Sequence, residues 1–261
     1  MTSNATSCLA PLFVPATSPE RFAKALASGA DAVIIDLEDA VATSEKAKAR
    51  ENLRFALGPF MVRINGSTTP WFADDVTTCK TFGAAAIMLP KAERAEEMAQ
   101  LQQLSNSIPV IALIESAKGL ANARAIAASG VARLAFGSLD FAGDLGCAHE
   151  PDALLLARSE LVMASRLAGI AAPLDGVTAA IDDQTLLKED SRRAAALGFG
   201  GKLCIHPKQI ETVQAAFRPT ADEVAWAKKT MATAGDGVVN AEGAMVDAPV
   251  RRRAQRILSK L

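Results

Sequence analysis

The chain has 261 residues, with 28 basic and 29 acidic side chains and a net charge of −1. That balance excludes the broad basic footprint by which proteins hold nucleic acid or an anionic membrane, so any anion site must be local. Half the residues are hydrophobic, aromatics make up 5% and tyrosine is absent, which excludes a disordered chain and calls for an aliphatic core.

In chain order, apolar runs of strand length alternate with segments of helical period. "LAPLFVPA" precedes "SPERFAKALASG", where Ser18 and Pro19 mark a helix start and Gly29 its stop. "AVIIDLED" precedes "TSEKAKARENLRFAL", with Thr43 or Ser44 as cap, and "FMVRING" precedes "WFADDVTTCKTFG". "AAIMLPK", "PVIALIES" and "VARLAFGSLDF" each lead into a further helical segment, as do "APLDGVT" and "GKLCIHP". Strict alternation with continuous Val/Ile/Leu strands implies parallel strands buried on both faces, and eight such units predict a closed TIM (β/α)8 barrel over residues 8–217.

Residues 218–261 lie outside the repeat. "TADEVAWAKKTMATAG", the Gly-rich "GDGVVNAEGAMVD" and "APVRRRAQRILSKL" predict a C-terminal helical extension, either a packing appendage or a cover for a barrel mouth. The cysteines Cys8, Cys79, Cys147 and Cys204 lack metal-site or disulfide-framework spacing and read as buried reduced thiols. With no apolar leader and no run of 18 apolar residues, the expected location is the cytoplasm, with no membrane partner.

In such a barrel the C-terminal strand ends build the active face. Asp36, Glu38 and Asp39 follow strand 2, Arg63 and Asn65 end strand 3, and Lys91 follows strand 4. Glu115 and Ser116 end strand 5, Asp140 follows strand 6, Asp175 ends strand 7 and His206 ends strand 8. Glu115 and Asp140, from neighbouring strands, suit a hard cation such as Mg²⁺, though solvated loop acids or ion-pair partners fit the same pattern. Arg63 suits a carboxylate or oxyanion, or neutralises the acids of strand 2; both roles are compatible. His206 reads as structural or ligand-contacting more than as a base, and His149 as exposed. Gly137 and Gly146 read as tight turns. The chain contains no GxGxxG, Walker A or GxSxG pattern, which leaves nucleophilic serine or cysteine catalysis little support.

Together "LFVPATSPERFAKAL", "DLEDAV", "VRING", "IMLPKAE", "ALIESAKGL", "FGSLDFAGDLG", "GKLCIHPKQI" and "GAMVDAPV" resemble the citrate lyase β-subunit-like enzymes of the HpcH/HpaI aldolase superfamily, which includes malyl-CoA and citramalyl-CoA lyases. The likeness runs from about Cys8 to Arg252. It implies a carbon–carbon lyase in which Glu115 and Asp140 bind Mg²⁺ and Arg63 contacts substrate and the developing oxyanion. Asp36, Glu38 and Asp39 would support the metal's water shell and position Arg63, while Glu115, Lys91 and His206 help bind substrate. Asp247, supplied across a homotrimer by the extension acting as a lid, would be the general acid/base. The implied reaction cleaves a 3-hydroxyacyl thioester, citramalyl-CoA or malyl-CoA, to acetyl-CoA and a 2-oxo acid. Citryl on an acyl carrier protein is the alternative thioester, and a non-catalytic ligand-binding barrel the alternative of another class. The tyrosine-free strand 7 end departs from the pattern and bears on pocket shape. Lys91 and Arg251 to Arg253 are candidates for CoA phosphates, with a solvated helix face the competing reading of the arginines.

Overall fold

The computed structural model describes residues 4–106, 108–232, 239–241 and 244–259. The chain divides into two compact units, Met1–Gln214 and Ala215–Leu261.

The first unit is built on eight parallel strands in the order of the sequence: β1 (Leu12–Pro15), β2 (Val33–Asp36), β3 (Met61–Arg63), β4 (Ala86–Leu89), β5 (Val110–Ile114), β6 (Arg133–Phe136), β7 (Ala171–Asp175) and β8 (Gly201–Lys202). Closure is carried by β1 and the chain just beyond β8, where Phe13 N–H donates to Cys204 O and Cys204 N–H to Pro11 O, both at 2.9 Å. Every residue of β2, β4, β5 and β6 is buried, as expected of parallel strands covered by helices outside and by one another inside. Ile34, Met61, Met88, Ile111, Leu113, Ala135, Leu174 and Leu203 form one apolar cluster, so the barrel is packed through and its chemistry is confined to an end. At the N-terminal end Arg133 is buried. Its Nε donates to Ala172 O at 2.6 Å and its Nη1 to Cys8 O at 2.8 Å, tying the N-terminal segment across the barrel floor.

The helix starts differ in detail from expectation. Pro19 opens a 3-10 turn (Pro19–Arg21) that continues as the helix Phe22–Leu26, and Gly29 takes φ +83°, the left-handed turn that glycine adopts without strain. Neither Thr43 nor Ser44 caps with its side chain: Ala42 holds the N-cap of the turn Thr43–Glu45. Lys46 anchors this segment instead, its ammonium donating to the carbonyls of Leu37 at 2.8 Å and Glu38 at 2.7 Å.

In the second unit the helices Ala221–Ala232 and Ala248–Leu258 pack on each other, with the Arg253 guanidinium 4.9 Å from the Trp226 ring centroid. Strands Val239–Ala241 and Ala244–Val246 pair antiparallel between them in sequence. Asp247 is the N-cap of the last helix, accepting from Val250 N–H at 3.0 Å. Among the described residues no helix is long and apolar enough to cross a membrane.

Candidate active site

A cavity of about 440 Å³ opens at the C-terminal ends of the strands. Its polar wall includes Asp36, Asp39, Arg63, Glu115, Ser138 and Asp140, and its apolar wall includes Phe13, Leu113, Phe136, Val177, Leu203 and Ile205.

Strand register brings the first pair together, because Asp36 of β2 lies beside Arg63 of β3. Arg63 Nε donates to Asp36 Oδ1 and Nη2 to Oδ2, each at 2.7 Å, a two-point clamp that fixes the guanidinium plane. Its Nη1 lies 3.2 Å from both Glu38 Oε2 and Asp39 Oδ2, and the Phe13 ring centroid is 5.0 Å from its central carbon. Asp36 also accepts the N–H groups of Glu38 (2.9 Å) and Ala40 (3.2 Å), folding the acidic loop back on itself. Burial opposes the Arg63 charge, yet the clamp and field of Asp36, with Glu38 and Asp39, hold its pKa above the usual arginine value. The acids that crowd the end of β2 are the frame of this arginine.

Below that loop Asp75, buried, accepts from Asn65 Nδ2 (2.6 Å) and Asn65 N–H (2.9 Å), while Arg50 Nη1 reaches its other oxygen at 3.2 Å. Asn65 Nδ2 in turn donates to Leu37 O at 3.1 Å. Asn65 therefore joins the ends of β2 and β3.

Glu115 follows β5 and is buried, with one oxygen satisfied and one not. Oε1 accepts Lys91 N–H at 2.7 Å, while Oε2 has no hydrogen-bond partner. Lys91 presents that N–H from φ +48°, a sparsely populated conformation for a side-chain-bearing residue. Burial pushes the Glu115 carboxyl up to about 8; the Lys91 N–H and Arg63 oppose the shift, and the charges of Glu38 and Asp140 add to it. Gly137 makes room for this side chain, since a Cβ there would stand 2.5 Å from Glu115 Cβ and 2.6 Å from Oε2. The turn read at Gly137 is thus a steric clearance, with φ −85°, whereas Gly146 does take the left-handed φ of +72°. Gly137→Ala should displace Glu115 at a cost of about 1–3 kcal/mol of stability, measured by denaturant unfolding.

Five expected rim residues, Asp36, Asp39, Arg63, Glu115 and Asp140, therefore share one cavity. Asp140 arrives from the first turn of the helix Ser138–Leu145, not from the strand end. Glu38 and Lys91, joined at 3.2 Å, face a second, polar cavity of about 530 Å³ that shares Asp39 with the first. Burial raises the Glu38 pKa, Arg63 lowers it and Asp39 raises it further; on Lys91 burial is outweighed by Glu38, raising its pKa. His206 lines neither cavity: its Nδ1 accepts Lys208 N–H at 3.2 Å and caps the turn Pro207–Gln209. Asp247 belongs to the second unit.

Asp175 does not point to the rim as its strand-end position suggested. It is buried between Arg158 Nε at 2.9 Å and Lys202 Nζ at 3.2 Å. These two cations overcome its burial and hold its carboxyl below the usual range. Sequence reading also missed the link from His149 Nε2 to Ser138 Oγ, at 2.9 Å.

Residues 9–207 match the HpcH/HpaI aldolase/citrate lyase family, and residues 163–261 match a family of carbon–carbon bond lyases of the TIM-barrel fold. A citrate lyase subunit beta-like protein of Mycobacterium tuberculosis is 39% identical over 262 residues, covering 95% of this chain and 94% of that one. A (3S)-malyl-CoA thioesterase of Cereibacter sphaeroides is 33% identical, covering 90% and 88%. The crystal structure of CitE from Mycobacterium tuberculosis in complex with magnesium, acetoacetate and coenzyme A superposes with a TM-score of 0.87 at 37% identity, covering 98% of each chain.

Proposed function

We propose a reaction from one premise: the chain belongs to the HpcH/HpaI aldolase/citrate lyase family and is a carbon–carbon lyase. Its substrate in this reading is a 3-hydroxyacyl thioester, citramalyl-CoA or malyl-CoA, cleaved with Mg²⁺ to acetyl-CoA and a 2-oxo acid. The observation that carries the reading is the partnerless, buried Oε2 of Glu115, on the same cavity as Asp140 and the clamped Arg63. A bare buried carboxylate oxygen is costly unless a proton or cation completes it. The M. tuberculosis complex with magnesium, acetoacetate and coenzyme A supports the choice of ligands.

The donor set fits magnesium. Glu115 and Asp140 are hard oxygen donors, and the described residues hold no cluster of three or more His, Cys, Asp or Glu that would cage a metal by themselves. A cation bound by two carboxylates, with waters and substrate completing its shell, is the usual magnesium arrangement. When bound, the ion supplies a Lewis acid for the oxygens of the oxo-acid half. Arg63, preorganised by Asp36, Glu38 and Asp39, stabilises the oxygen on which thioester enolate charge develops. Asp247, donated by a neighbouring subunit of a trimer, passes a proton to the enolate carbon in cleavage and removes it in condensation. Lys91, on the adjoining polar cavity, holds an outer part of the substrate, whereas His206 caps its own turn and is left out of this role.

Because Glu115 keeps its proton up to about pH 8, Mg²⁺ must displace it. Apparent Mg²⁺ affinity should rise by up to about tenfold per pH unit below that value and level off above it. Titration calorimetry in two buffers of different ionisation enthalpy would count the released proton, and an affinity flat from pH 6 to pH 8 would mean that Glu115 either is ionised before the ion arrives or does not bind it.

The deciding experiment offers the purified chain malyl-CoA, citramalyl-CoA and citryl-loaded acyl carrier protein, with and without Mg²⁺, and assays glyoxylate, pyruvate, oxaloacetate and free CoA. Oxo acid from a CoA thioester only with Mg²⁺ is the expected result. Turnover of the carrier substrate alone would make the chain a citrate lyase β subunit. Release of free CoA without oxo acid would place it with the thioesterase relative, and no turnover at all would leave a ligand-binding barrel.

A further inference from the structure

In the proposed cleavage the substrate hydroxyl must lose a proton, and every carboxylate so far described has another task. Asp36 and Asp39 hold Arg63, as does Glu38, which also pairs with Lys91. Glu115 and Asp140 face the cation, and Asp247 serves the carbon.

Ser138 is buried, lines the cavity with Glu115 and Arg63, and opens the helix that carries Asp140. Gly176, just after β7, clears the space its hydroxymethyl occupies, because a side chain at 176 would collide with Ser138 Oγ. Behind Ser138 lies His149, whose Nε2 is 2.9 Å from Oγ while the residue itself is exposed. A solvent-facing imidazole is thus hydrogen-bonded to a buried hydroxyl on the cavity wall.

The charges around His149 keep it a base. Partial burial lowers its pKa first, then Arg158 of the helix Leu155–Ala168 and Lys202 of β8; Asp190 of the helix Gln184–Leu197 and Asp175 of β7 oppose them. Asp175 is already shared between Arg158 and Lys202, so its opposition is weak.

Resting on the lyase reading above, we propose that Ser138 and His149 form a relay that carries the substrate's hydroxyl proton from the cavity to solvent. The substrate O–H bond breaks as its proton moves to Ser138 Oγ, and the original Ser138 proton moves to Nε2 of His149, in the tautomer carrying hydrogen on Nδ1. The electron pair left on the substrate oxygen forms the new C=O bond, and the pair of the broken C–C bond passes into the thioester enolate. Asp247 protonates the enolate carbon and recovers a proton from water, while His149 returns its own to water, so protons balance. Ser138 touches the reacting hydroxyl; His149 acts through it.

The test pairs His149→Gln with Ser138→Ala. Glutamine still hydrogen-bonds to Ser138 but accepts no proton, so a merely structural histidine would tolerate it. The relay predicts a fall in kcat of about 100-fold in each variant, with KM within twofold, as expected for loss of a positioned general base. It also predicts that, with Mg²⁺ held saturating at every pH, the acidic limb of the kcat–pH profile disappears in His149→Gln. Imidazole NMR supplies a readout independent of turnover: the chain has two histidines, so the signal missing in His149→Gln identifies His149. That signal should titrate below 6.5 and move in Ser138→Ala. An active wild type whose His149→Gln variant keeps kcat within twofold, or a His149 signal indifferent to Ser138→Ala, overturns the relay alone. A wild type that cleaves none of the thioesters overturns the lyase reading and the relay with it.

Discussion

Glu115→Gln should abolish Mg²⁺-dependent turnover while raising the stability of the metal-free protein at neutral and alkaline pH. The first half follows from the proposed metal site: there an amide would present one neutral acceptor where the cation needs an anionic oxygen, so the loss should exceed the roughly 100-fold typical of removing a metal's outer partner. The second half follows from linkage. Folding raises the Glu115 pKa from 4.5 to about 8, so across that window the folded chain holds a proton that the unfolded chain has released. Stability therefore falls as pH rises from the unfolded value towards 8, by up to about 1.4 kcal/mol per unit, and the loss is complete above the folded pKa. Glutamine cannot ionise and escapes this loss. Thermal melts without metal should show the variant above wild type at pH 8 and the two converging below pH 5. Saturating Mg²⁺ should raise the wild-type Tm and leave the variant's unchanged. A variant that loses activity but melts below wild type at pH 8 would mean that Glu115 is a packing residue whose loss disrupts the barrel.

That combination, an acid that weakens the fold where its charge is useful, was only half legible in the sequence. The position of Glu115 was legible, because an acid directly after a buried parallel strand falls at the end of the barrel where the active face is built. Its orphan oxygen was not, since it depends on Gly137 clearing one side and on the left-handed Lys91 supplying one N–H and no more. The pairing of Asp36 with Arg63 followed from adjacent strands, but its two-point geometry depends on register, which no local pattern specifies. Asp175 looked like a rim acid by the same strand-end rule, and is instead consumed by Arg158 and Lys202 from flanking elements. His149 read correctly as exposed, yet its bond to Ser138 arises from the chain turning back after the helix Ser138–Leu145. A contact made by such a return leaves no periodic signal. The helix start after β2 went to a lysine bonded to two carbonyls, so the hydroxyl residues that propensity favours as caps were not needed.

Arg63→Lys should be nearly as damaging as removing the side chain, and for two separable reasons. Lysine keeps the charge but offers a point donor in place of the fork that grips both oxygens of Asp36 at 2.7 Å and reaches Glu38 and Asp39 at 3.2 Å. One ammonium cannot span these acids and also face the cavity, so kcat should fall by about 10²–10³-fold, the range for loss of one preorganised oxyanion donor. The structural consequence is independent of substrate. Asp36 and Glu38 are buried, and an incompletely paired buried carboxylate destabilises by about 3–5 kcal/mol. Burial already raises the Glu38 pKa, so protonating it removes a buried charge and the stability gap between variant and wild type should narrow as pH falls. Asp36→Asn separates the two effects, since it removes a buried charge while leaving the arginine in place with a looser hold. That variant should melt closer to wild type than Arg63→Lys yet still lose kcat, because the guanidinium plane is no longer fixed. If Arg63→Lys kept kcat within about threefold, the fork would be dispensable, and the acids of "DLEDA" would serve the cation and not the arginine. If instead Asp36→Asn kept full kcat while Arg63→Lys lost it, the arginine would matter through its own donors and the clamp would contribute stability alone.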